Sequence, residues 1–191
     1  MARIAPLESS SPVHRLAGLI DRVNERIGRA VSWLTLAMVL VVLVVVVMRY
    51  VFGLGSVWLQ ESIVYLHATV LMLAAGYTLL HDGHVRCDVL YARASRRRRA
   101  MVDLVGVLAL LLPTCALVAW TSWPQVALAW SIREGSPEGA LGIPAVWLLK
   151  SLLIAFPVLL GLQGVALAAR ALGVLVGDAG AGTASSAEPG R

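Results

Sequence analysis

Four stretches of this chain, 30–48, 62–80, 104–132 and 151–169, contain no charged side chain. An α-helix rises about 1.5 Å per residue and a hydrocarbon core is about 30 Å thick, so roughly twenty apolar residues suffice to cross it. Each stretch meets that requirement, and the third exceeds it. Hydrophobic residues make up 59% of the chain and charged residues 14%, a balance that puts it outside soluble globular proteins. The expected fold is all-α, an integral membrane protein with four transmembrane helices at about 30–50, 60–81, 103–124 and 146–169.

Arginine placement orients the bundle. Thirteen basic residues lie before the first span, between the second and third, or after the fourth, against Arg49, Arg133 and Lys150 on the other side. By the positive-inside rule both termini and the middle loop are cytoplasmic. The net charge of +5 therefore reads as orientation, and nucleic acid is not an expected partner. Trp58, Trp123 and Trp147 fall at the expected outer helix ends, where an indole has an apolar body in lipid and an N–H in water. Pro124 would kink or stop the third helix, leaving 125–132 along the outer surface.

The first apolar run begins near Ala30, behind a polar stretch, and is long enough to span; it reads as a retained anchor rather than a cleaved leader. Ahead of it, Val13, Leu16, Ile20, Val23 and Ile27 repeat at helical spacing with Arg15, Arg22, Glu25 and Arg26 on other faces. That pattern predicts an amphipathic helix over 13–28, lying on anionic membrane lipid or docked on a partner. The membrane domain then covers 13–176, between disordered tails at 1–12 and 177–191.

Few polar residues fall near the spans. Arg49 closes the first helix and Glu61 opens the second, so a short loop would either bring them together as an ion pair or leave them as two solvated charges. His67, inside the second helix, reads as a hydrogen-bonded core or interface residue. A bis-histidine haem needs a second histidine at similar depth, and His14, His81 and His84 belong to the opposite side. The segment 81–88 holds two imidazoles, a thiol and two carboxylates, but its spacing fits no familiar zinc pattern; it reads better as a helix-ending turn at Gly83. Cys87 and Cys115 look structural and unpaired with each other. Gly106, Ala109, Gly161, Gly164 and Ala168 allow close helix approach, within this chain or towards a partner. No catalytic motif and no cofactor is expected.

Arg49-Tyr50-Val51-Phe52-Gly53, then Trp58 with Glu61, then Gly83-His84-Val85-Arg86-Cys87-Asp88, resemble the small, DctQ-like membrane subunit of tripartite ATP-independent periplasmic (TRAP) transporters. Ser136-Pro137, Ile143-Pro144, Trp147, Lys150 and Gln163 are similar to that family's approach to its last helix. The resemblance covers roughly 22–170. Two positions depart from it: Gln60, where a second acid often stands, and Cys87, where a small aliphatic residue is common. The resemblance implies a small permease subunit of the bacterial inner membrane that scaffolds a large multi-span permease subunit. A periplasmic solute-binding protein would deliver a small, carboxylated solute for uptake driven by an ion gradient. It also implies structural or partner-interface roles for Arg49, Tyr50, Phe52, Gly53, Trp58, Glu61, His84, Arg86, Asp88, Pro144, Trp147, Lys150 and Gln163. The alternative reading is a membrane anchor for a redox enzyme.

Overall fold

The computed structural model describes residues 12–81, 83 and 95–185. These residues are helical apart from short connections, and four helices are long and apolar enough to cross a membrane. We label them α1 (Pro12–Tyr50), α2 (Val57–Leu80), α3 (Arg96–Ser131) and α4 (Val146–Ser185). The 132–145 loop, with a 3₁₀ turn at Gly139–Leu141, joins α3 to α4. The start of α1 and the later part of α4 meet at one end, where Asp21 pairs with Arg170.

Helix ends are set locally. Ser56 caps α2, accepting from Leu59 N–H at 3.4 Å. At its other end α2 stops at Leu80 with His81 as its cap, and Gly83 N–H, just beyond, donates to Thr78 O at 2.8 Å and closes the last turn. Ser95 caps α3 in the same manner through Arg98 N–H. Large apolar residues cover the outside of the bundle, including Leu36, Leu40, Leu43, Leu110 and Leu117. The buried side chains are mostly small, with Ala17, Ala129, Ala166 and Ala171 among them. In lipid, association rests on close packing rather than on removing apolar surface from water, and small residues make that packing possible. Gly161 and Gly164 of α4 face Leu112, Cys115 and Leu111 of α3, which gives these two small residues a role inside the chain.

Two expectations need correction. The amphipathic 13–28 stretch is no separate element, because α1 runs unbroken through 39 residues. Its inward stripe is Ala17, Asp21, Asn24, Gly28 and Val31, whereas Leu16 and Val23 of the expected apolar face are exposed. Packing on α2 and α4 selects the stripe of small and polar residues. Second, Pro124 neither stops nor ends the third helix, which continues to Ser131. A proline removes one backbone donor, and one missing bond within a turn or two of the helix end is tolerated. The wider break is at Val107–Leu111, a π-helical turn just before Pro113. That turn relieves the clash between the Pro113 ring and the carbonyl four residues earlier. α4 itself runs to Ser185. No proline lies between Pro157 and Pro189 to interrupt it.

Candidate functional site

Two polar clusters tie the bundle, one at each end. The first joins α1 to α4. The Asp21 carboxylate is an acceptor only, and it takes a bond from the Arg170 guanidinium and another from Gln163 Nε2 at 3.0 Å. Gln163 must therefore turn Oε1 the other way, where it accepts from Asn24 Nδ2 at 2.8 Å. Asn24 and Gln163 are each only 1% exposed. Asn24 Oδ1, with no hydrogen-bond partner, rests against Gly76 of α2. A Cβ at Gly76 would collide with the Asn24 side chain, so this three-helix crossing requires glycine there. Beside it, Tyr77 packs over Gly28, and His81 Nε2 lies 2.7 Å from Glu25 Oε2.

The second cluster pins the 132–145 loop onto α2. Glu61 accepts from Ser136 Oγ and, at 2.6 Å, from Ile143 N–H. Lys150, one turn into α4, donates to both carboxylate oxygens of Glu134 at 2.7 and 2.6 Å. Trp130 meets Trp147 edge-on at 4.5 Å and donates through Nε1 to Ser151 Oγ at 2.8 Å. Arg133 takes a left-handed backbone (φ 48°) at the end of α3, and its guanidinium stacks 5.0 Å above the Trp147 ring. That contact helps hold a backbone conformation that costs a residue with a Cβ about 1–2 kcal/mol.

Of the residues singled out above, Glu61, Trp147 and Lys150 gather at this corner, and exposed Pro144 sits on the same loop. Gln163 belongs to the other cluster. Arg49, Tyr50, Phe52, Gly53 and Trp58 surround the exposed turn between α1 and α2; Tyr50 is 81% exposed, and Gly53 takes a left-handed φ of 67° open to glycine. The Arg49–Glu61 ion pair does not form. The Glu61 carboxylate is engaged by the loop, and Arg49 makes no ion pair among the described residues. His84, Arg86, Asp88 and Cys87 lie outside the described residues. Cys115 is a free, buried thiol facing Gly161.

The sequence reading missed Asp21, Asn24, Arg170 and Glu134, and named Ser136 only as part of a family motif. A signal for the first three was present: Asp21 and Asn24 are spaced i, i+3, and Gln163 and Arg170 i, i+7, so each pair shares a helix face amid apolar neighbours.

Residues 38–174 match the family described as tripartite ATP-independent periplasmic transporters, DctQ component. The chain belongs to this family. No curated protein and no solved structure matches it significantly. As a DctQ component it is a small permease component of a TRAP transporter, a family of transporter parts rather than a known enzyme family. The four apolar helices agree with a multi-pass membrane protein. The match takes in Glu61, the 132–145 loop, Lys150, Gln163 and Arg170, and begins after Asp21 and Asn24.

The Lys150–Glu134 pair is about one-third exposed on each side. Replacing Lys150 with Met is expected to destabilise the DctQ component by only about 1 kcal/mol, the scale of a partly solvated pair. Thermal unfolding in detergent checks this value; no change in Tm would mean that the pair is incidental.

Proposed function

We propose that this chain acts as the scaffold of its transporter: a rigid membrane unit that holds the static part of a large multi-span permease subunit while the substrate-carrying part moves. The observation that supports it most directly is that hydrogen-bonded polar clusters tie the helices at both ends, Asp21–Gln163–Asn24 at one and Glu61–Ser136–Ile143 at the other. A bundle held in this way moves as one body, and alternating access needs a fixed element against which another can rock.

In this reading the arginine-rich end faces the cytoplasm of a bacterial inner membrane and the 132–145 loop faces the periplasm. There, the exposed aromatic turn of Tyr50, Phe52 and Trp58 adjoins the route by which a periplasmic solute-binding protein delivers a small, carboxylated solute. Sodium or proton flow through the large subunit drives uptake.

Two experiments test the proposal. A fluorescent reporter fused after Arg191 is expected to be active, and a secreted phosphatase fused there inactive; the reverse pair of results would invert the orientation. Liposomes containing this chain alone are expected to show no gradient-driven uptake of carboxylated solutes, with uptake appearing once the large subunit and binding protein are added. Uptake by the chain alone would make it a carrier in its own right.

A further inference from the structure

The middle of α2 carries an ionisable side chain that no other described residue covers. α2 has 24 residues, and His67 lies roughly 15 Å along it from Val57 at 1.5 Å per residue, close to its midpoint. His67 is exposed and, among the described residues, has no hydrogen bond or ion pair. With Gln60, Val64 and Leu71 it forms one exposed stripe at spacing i, i+4, i+7, i+11. The outward stripe of α1, by contrast, is Leu36, Leu40, Leu43 and Val47, all apolar and exposed as lipid-facing residues should be. Among the described residues, His67 is the one exposed ionisable side chain in the middle of a span.

A neutral imidazole has one donor and one acceptor, and hydrocarbon satisfies neither. Ionisable side chains at this depth almost always face protein or a water-filled cavity. Phospholipid headgroups lie too far from mid-depth to serve. We propose that the Gln60–Val64–His67–Leu71 face of α2 docks a transmembrane helix of the large permease subunit, with a polar group of that helix hydrogen-bonded to His67. This inference rests on the subunit reading above and adds to it where the partner sits and what it offers. Val64 and Leu71, one turn to either side of His67, pack against the same helix.

The test uses the full chain co-expressed with its large subunit and binding protein, with Cys87→Ser and Cys115→Ala removing the native thiols. Val64→Cys and Leu71→Cys are each labelled in membranes with a short photoactivatable maleimide, and Leu43→Cys serves as the lipid-facing control. Adducts with the large subunit are expected from 64 and 71 and not from 43. In a parallel pull-down, His67→Leu is expected to lower recovery of the large subunit roughly three- to tenfold, the range of one interhelical hydrogen bond in lipid, and His67→Asn to restore part of it. Adducts with a second copy of this chain, no adducts at all, or unchanged recovery with His67→Leu would overturn the inference while co-purification of the large subunit leaves the subunit reading intact. If the large subunit is recovered with no version of the chain, the subunit reading fails and the docking face falls with it.

Discussion

Replacing Gln163 with Ala is expected to be among the most damaging single substitutions in the chain. Gln163 is the middle member of the Asp21–Gln163–Asn24 relay and is 1% exposed. Its loss strips Asn24 Nδ2 of its acceptor in a place that water does not reach, where Asn24 Oδ1 already lacks a donor. A buried polar group left unpaired costs about 1–3 kcal/mol. Asp21 is better protected, because Arg170 still reaches it. The expected loss is therefore about 2–3 kcal/mol, set mainly by Asn24. At the 2–4 °C per kcal/mol usual for a chain of this size, that is a fall of roughly 4–12 °C in Tm. The pair should be coupled. Asn24→Ala combined with Gln163→Ala is expected to cost at least about 1 kcal/mol less than the sum of the singles, since the second change removes the group the first one orphaned. Thermal melts of the four proteins in one detergent give the answer, and strict additivity would show that the relay contributes no pairing energy.

Glu61→Ala is expected to release the 132–145 loop. Glu61 is the one side chain of α2 that accepts from both Ser136 Oγ and the Ile143 N–H, and bonds to an ionised group contribute about 1.5–3 kcal/mol. Partial exposure of the site places the expected loss near the lower end of that range, about 2 kcal/mol. The more telling readout is local. Limited proteolysis should begin within 135–142 in Glu61→Ala, at conditions under which the parent chain is intact. Glu61→Gln should fall between the two, because an amide has one accepting oxygen and must turn a donor towards the loop with the other end. It is also expected to weaken assembly with partners while leaving solute preference unchanged. A shift in solute preference with normal assembly would give this residue a recognition role instead.

These clusters mark the boundary of what could be read without a structure. Four charge-free windows point to four helices long and apolar enough to cross a membrane, and the end of α2 ahead of Gly83 follows from local turn chemistry. Glu61 shows where locality ends. Arg49 is close in sequence and of opposite charge, yet the partners of Glu61 come from 75 and 82 residues away, brought back by the path of α3. Composition divides the first helix at residue 28, but composition can change along a helix without the backbone changing conformation. Its inward stripe could not be chosen from α1 alone, since Asp21 and Asn24 become interior residues only when Gln163, Arg170 and Gly76 are opposite them. Pro124 and the π-turn before Pro113 are paired exceptions: one proline sits near enough to a helix end to be absorbed, and the other is accommodated by a wider turn.

The measurement that tests the central claim most directly is a pull-down of the tagged full-length chain from native membranes in mild detergent, with mass spectrometry of everything that accompanies it. A much larger polytopic membrane protein at near-stoichiometric amount is the expected result for a scaffold subunit. Recovery of a flavin or iron–sulfur protein in its place would point to the redox anchor, and recovery of the chain alone would contradict the scaffold account.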